Sequence, residues 1–138
     1  MLEHRNHTQS IKAVRDNIKI QKKSTVYGVQ FVLLGLESQE HIHYAMPLRV
    51  MGYDYATYKK QYDSLTRQYK EHKTDMDEHE FLSRMKKTDR LTPVISVVIY
   101  YGEKVWDAAT SLYGILNIPT EMASYVNDYR MLLVEARQ

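Results

Sequence analysis

The most regular apolar pattern in the chain lies between Val26 and Gln39. Val29, Phe31, Leu33, Gly35, Glu37 and Gln39 share one face of an extended strand, and Gln30, Val32, Leu34, Leu36 and Ser38 share the other. Both faces stay largely apolar until Glu37, the pattern of a strand covered on both sides in an α/β layered core. Upstream, Ile18 and Ile20 flank Lys19 and predict a strand over Ile11 to Ile20, with Lys22-Lys23-Ser24-Thr25 as the polar turn of a hairpin.

Downstream the period changes. Leu48, Met51, Tyr55, Tyr58, Tyr62, Leu65 and Tyr69 are three and four apart, one stripe on a helix of about six turns that Pro47 is suited to open. Lys59, Lys60, Arg67 and Lys70 fall off the stripe, in water. The stripe either packs on the sheet or forms the seam of a homodimer, because a 3-4 repeat is also the coiled-coil pattern. Glu71 to Asp77 reads as a loop or a frayed helix end, and Glu78 to Lys87 as a short helix. Pro93 to Tyr101, rich in Val and Ile, reads as a buried central strand that Gly102 ends. Trp106 to Leu116 predicts a short helix or turn closed by Asn117-Ile118-Pro119, and Tyr129 to Val134 a last apolar strand. These elements predict a single α/β domain over residues 1–138, with a mixed sheet flanked by helices, one of them long and Tyr-rich.

Composition narrows the function more than the fold. At 138 residues the chain has room for one domain. It has no cysteine, which excludes disulfides, Cys-based zinc sites and thiol catalysis and fits a reducing cytoplasm. No apolar run reaches the ~18 residues of a membrane span, so no membrane partner is expected. The residues Met1 to His7 contain no signal-peptide core. A net charge of +2 permits DNA binding without arguing for it. The 12 tyrosines, against two Phe and one Trp, suit half-wet surfaces: a nucleic-acid or subunit interface, or a helix at the rim of a small core. No Walker loop, dinucleotide glycine pattern or nucleophile elbow is present.

Glu37 and Gln39 end an apolar strand side by side. A carboxylate there needs a partner, since burying an unpaired charge is costly. A hard divalent cation is one partner; Arg15 or Arg49 is another. Asp16, 21 residues earlier on the preceding strand, is the second carboxylate a hairpin can bring to Glu37. Two strand-borne carboxylates with water and phosphate oxygens form the donor set Mg²⁺ prefers. Arg49 suits a phosphate contact or an ion pair with Glu37. His41 and His43 form an H-x-H pair that reads as zinc ligands or as a polar loop at a helix start. Trp106 reads as a core anchor or a stacking platform.

Several segments are similar, in order, to one family. An apolar strand ends in Glu37-Ser38-Gln39, then Met46-Pro47-Leu48-Arg49 opens a helix with Tyr53-Asp54 following. Arg15-Asp16 lies upstream. Asp89-Arg90-Leu91-Thr92-Pro93 leads into Tyr100-Tyr101-Gly102-Glu103 and Trp106-Asp107, and Asp128-Tyr129-Arg130 lies near the end. The chain thereby resembles, over nearly its whole length, the bacterial recombination-promoting nuclease and transposase family of the PD-(D/E)XK superfamily. The resemblance implies a restriction-endonuclease-like core and Mg²⁺-dependent DNA hydrolysis, with Mn²⁺ as a substitute. It implies Asp16 and Glu37 as catalytic metal ligands, and Gln39 at the position that is Lys in the wider superfamily. Relatives of this kind carry a longer N-terminal portion, so the expectation is an N-terminally truncated nuclease domain. The alternative is an inactive remnant that binds DNA or self-associates.

Overall fold

The computed structural model describes residues 19–25, 28–72 and 75–136. Four strands form one sheet in the order β1-β2-β3-β4: β1 (Lys19–Thr25), β2 (Gly28–Gln39), β3 (Val94–Tyr100) and β4 (Leu132–Glu135). β1 is antiparallel to β2, while β2, β3 and β4 run parallel. Parallel neighbours need long crossovers. The first is α1 (Met46–Glu71) followed by the short α2 (Glu78–Ser83); the second is irregular, with 3-10 turns at Leu112–Ile115 and Thr120–Tyr125. The described residues therefore form a mixed α/β fold whose sheet has parallel and antiparallel strands, as the patterning predicts.

β3 is the most apolar strand and has a partner on each side. Ser96, Val98 and Tyr100 point to one face and are buried. α1 covers that face, with Met46 and Val50 packed into a core with Val98, Tyr100, Trp106 and Met131. Trp106 is that core's anchor: its ring meets Tyr100 edge-on at 5.2 Å, and its Nε1–H donates to the Ala108 carbonyl at 3.1 Å. On the other face Ile95, Leu132 and Val134 are exposed, so among the described residues the flanking layer is α1 on one side.

Four expected boundaries move. Lys22–Thr25, expected as a turn, belongs to β1, which pairs with β2 as far as Thr25 opposite Gly28. Polar and basic residues suit an edge strand as well as a turn, since they blunt its open side. Of the strand expected over Ile11–Ile20, only Lys19 and Ile20 lie within the described residues. α2 stops at Ser83 because Arg84 turns into the left-handed region at φ 59°, which no helix continues. The helix or turn expected over Trp106–Leu116 narrows to the 3-10 turn at 112–115, and the last strand starts at Leu132.

The stripe on α1 also shifts. Its fully buried positions are Met46, Pro47, Val50 and Asp54, whereas Leu48 and Tyr55 of the expected stripe are 51% and 64% exposed. The tyrosines farther along do meet the rest of the protein, through their hydroxyls. Tyr58 Oη accepts from the Val94 N–H at 3.0 Å, Tyr62 Oη donates to the Ser83 carbonyl at 2.6 Å, and Tyr69 Oη donates to Asp89 Oδ2. These hydroxyls hold residues 83–94 along the helix. No helix of the described residues is long and apolar enough to cross a membrane.

Candidate functional site

β2 carries the candidate residues to the carboxyl end of the sheet. In the parallel ladder Glu37 is opposite Val98 and Gln39 opposite Tyr100. Positions 37 and 39 thus lie on the sheet face of the buried Val98 and Tyr100, the face whose near end is covered by the start of α1. Gln39 is half-buried. Its carbonyl accepts from the Tyr101 N–H at 3.0 Å, which carries the pairing one step past the strands. Asp16 lies outside the described residues.

Gly102 lets the two strand ends close. A Cβ at this position would collide with the Glu40 carbonyl oxygen and lie 2.6 Å from the Tyr100 ring. Only a residue without a side chain fits this approach. The Tyr100 hydroxyl then donates to the Lys104 carbonyl and closes the turn that follows.

Beyond the strand ends lies an open cleft of about 640 Å³, lined by Glu40, His41, Tyr44, Tyr101, Glu103 and Lys104 among others. Crevices at the carboxyl ends of parallel strands are where open α/β sheets bind ligands. Its far wall is braced by Lys104 Nζ, 3.1 Å from Asp107 Oδ2. Asp107, with the Tyr44 hydroxyl, holds Lys104 above its ordinary pKa, and Lys104 holds Asp107 below its own.

Arg49 projects from the first turn of α1. Its Nε donates to Tyr53 Oη at 3.0 Å and its guanidinium lies 5.6 Å from the centre of that ring. His43 is half-buried, and its Nδ1 accepts the Ala45 N–H at 3.2 Å at the entry to the helix. Burial, and then the charge of Arg49, lower the His43 pKa below 6.5. This imidazole therefore serves as a helix-entry cap. Among the described residues, no three His, Asp or Glu side chains are grouped as a metal ion would require.

Patterning missed one cluster. Asp54, on α1, is 5% exposed, and it accepts from Ser96 Oγ at 2.5 Å and from the Tyr129 hydroxyl. It thereby ties the helix to β3 and to the segment entering β4. The available signal is its spacing: Met46, Val50 and Asp54 lie four apart on one helix face.

The structure thus brings Glu37, Gln39 and the Glu40–Lys104 cleft to one end of the sheet, with Arg49 beside His43 at the adjoining helix start. No family model, curated protein or solved structure matches the chain.

Proposed function

We propose that this chain is a nuclease domain of the PD-(D/E)XK type with a restriction-endonuclease-like core, hydrolysing DNA phosphodiesters with Mg²⁺ or Mn²⁺ held by Asp16 and Glu37, in recombination or transposition. The observation that supports it is the register of the parallel ladder: Glu37 and Gln39 stand opposite Val98 and Tyr100, at the carboxyl end of β2 beside the cleft that Glu40 and Lys104 line. Asp16 enters as the first acidic residue that the family resemblance implies.

The donor set suits the ion: carboxylate oxygens with room for water and phosphate are the hard ligands Mg²⁺ takes. When bound, the ion supplies charge against the scissile phosphate and a more acidic water. The side chains do the rest. The Gln39 amide orients a water by hydrogen bonding but adds no charge. Arg49, already close enough to depress His43, offers a guanidinium to a phosphate at the helix start.

Plasmid cleavage in Mg²⁺ by the wild type, Asp16→Ala and Glu37→Ala tests this. Cleavage is expected in the wild type and in neither variant, with circular dichroism unchanged. Cleavage that survives both substitutions would refute the site. A wild type that neither cleaves nor binds Mg²⁺ in calorimetry would refute the nuclease.

A second reading, a remnant that binds DNA or self-associates without hydrolysis, rests on Leu48 and Tyr55. They are seven residues apart, on one side of α1, and both are more than half exposed. Light scattering that finds a monomer at every concentration would remove the self-association.

A further inference from the structure

The segment Arg84–Arg90 has a charge unlike that of the rest of the chain. Within it Arg84, Lys86, Lys87 and Arg90 accompany one acid, Asp89, an excess of three within the segment on a protein whose net charge is +2, and Asp77 and Glu80 border the same surface. The nearby carboxylates are turned inward to hold backbone. Asp89 Oδ2 accepts the Lys86 N–H at 2.8 Å and also the Tyr69 hydroxyl. Glu80 Oε2 accepts the Lys87 N–H at 2.9 Å, while Glu80 Oε1 accepts the Asp77 N–H at 3.2 Å. Arg90 braces the loop from below, donating to the carbonyls of Lys87 and Asp89 at 2.6 and 2.7 Å.

Asp89 is close enough for its carboxylate to feel the charges of Lys86 and Arg90, but the cations outnumber it. Among the described residues none of the four forms an ion pair with a carboxylate; those found are Lys59–Asp63 and Lys104–Asp107. Arg84 lies 5.0 Å over the Phe81 ring and Lys86 5.6 Å over the Tyr69 ring, contacts that fix their stems without cancelling charge. Lys87 and Thr88 are exposed. The acids are spent on folding the loop, and the Tyr62 and Tyr69 hydroxyls pin it to α1, so its positive charges are displayed on a rigid support. A preorganised group of cations in excess of the carboxylates around it is what a phosphate backbone requires.

We infer that the Arg84–Arg90 loop is a sequence-independent contact for the backbone of duplex DNA. The inference rests on the nuclease reading for its choice of polyanion and deepens it. The loop precedes β3, whereas Glu37 and Gln39 pair with the far end of that strand, about 20 Å away at ~3.3 Å per residue. The loop would thus anchor the duplex at a distance from the strand-end site.

The test is fluorescence anisotropy of a labelled duplex of arbitrary sequence, in EDTA, titrated with the full chain over a salt series. Lys87→Glu should weaken binding roughly tenfold at 0.1 M salt and make the salt slope shallower by about 1. Thr88→Lys should tighten binding and steepen the slope. Lys60→Glu, on the side of α1 away from the loop, should change binding much less. Equal losses for Lys60→Glu and Lys87→Glu would overturn the inference, as would a wild type that does not bind. Cleavage with binding unaltered in the loop variants would sink the inference and leave the nuclease standing; loop-dependent binding without cleavage would do the reverse.

Discussion

Replacing Asp54 by Ala should cost this protein a large part of its stability. Asp54 is 5% exposed and receives at least two hydroxyl protons, from Ser96, itself 6% exposed, and from Tyr129. A hydrogen bond to a charged group contributes about 1.5–3 kcal/mol. Alanine removes both bonds at once, so the loss should be about 3–5 kcal/mol. Native domains hold only about 5–15 kcal/mol in total. At about 3–5 °C per kcal/mol for a domain of this size, Tm should fall by more than about 10 °C. Asp54→Asn keeps an acceptor and should lose less, about 1–2 kcal/mol. The assay is urea and thermal unfolding by circular dichroism, with Tyr129→Phe alone and combined with Asp54→Ala. Because the two side chains share one bond, their effects should fall short of additive by about 1–2 kcal/mol. A loss below about 1 kcal/mol in Asp54→Ala, or strict additivity with Tyr129→Phe, would refute the account.

Two glycines should respond with opposite signs. Gly102→Ala, which drives a methyl into the Glu40 carbonyl and the Tyr100 ring, should destabilise by about 1–3 kcal/mol. Gly52→Ala, in the middle of α1 with nothing within 4 Å of the new methyl, should stabilise by about 0.5–1 kcal/mol in the same urea titration; equal signs would contradict both placements. The bond to Asp89 pushes the Tyr69 phenol up to about 12 and holds the Asp89 carboxyl below 3.8. A raised phenol pKa favours the protonated form, so this contribution is full below pH 10 and is lost as pH rises through about 12. The carboxyl's contribution is full above pH 3.8 and is lost as pH falls through its lowered value. The difference between wild-type and Tyr69→Phe ultraviolet titrations should show one phenol ionising near 12; a midpoint at 10 would count against the bond. His43, lowered by burial and by Arg49, favours folding fully above pH 6.5 and less as pH falls through its own value. Its NMR titration should fall below 6.5 and move upward in Arg49→Gln, and a midpoint indifferent to Arg49 would separate the two residues.

What was legible in the chain follows from the range of the forces involved. β2, α1 and β3 show in the pattern because each is a long or strongly apolar run of its own period. The edge strand β1 was hidden by its lysines, which serve an edge and a turn equally well. On α1 the tyrosines drew the stripe toward Leu48 and Tyr55, although the buried row runs through Met46, Val50 and Asp54. An aspartate in that row masks it, because its burial depends on a serine 42 residues away and a tyrosine 75 residues away. Partners at such separations leave no local periodicity. The placement of Glu37 and Gln39 at a strand end was legible, since it needs only alternation and a polar stop.

The tyrosines also help to hold a strand end in place. Among the described residues six side chains form a buried apolar cluster, and polar side chains add further restraints. Tyr58 and Gln61 hold Thr92 and Val94 at the start of β3, Gln61 bonding Thr92 through both its amide oxygen and nitrogen. Ser96 and Tyr129 bond Asp54 at its middle, and Tyr100 closes the turn at its end. β3 is thereby tied to α1 at its start and middle and closed by a turn at its end, and β2 is paired to β3 from Leu33 to Gln39. The site proposed at Glu37 and Gln39 would depend on this lattice of hydroxyl and amide bonds. Loosening it at Asp54, well away from the strand end, should therefore blur the site before it unfolds the domain. In Mg²⁺ calorimetry at a temperature where Asp54→Asn remains folded, the variant should bind more weakly than wild type; unchanged affinity would show that the strand end holds its shape without the helix.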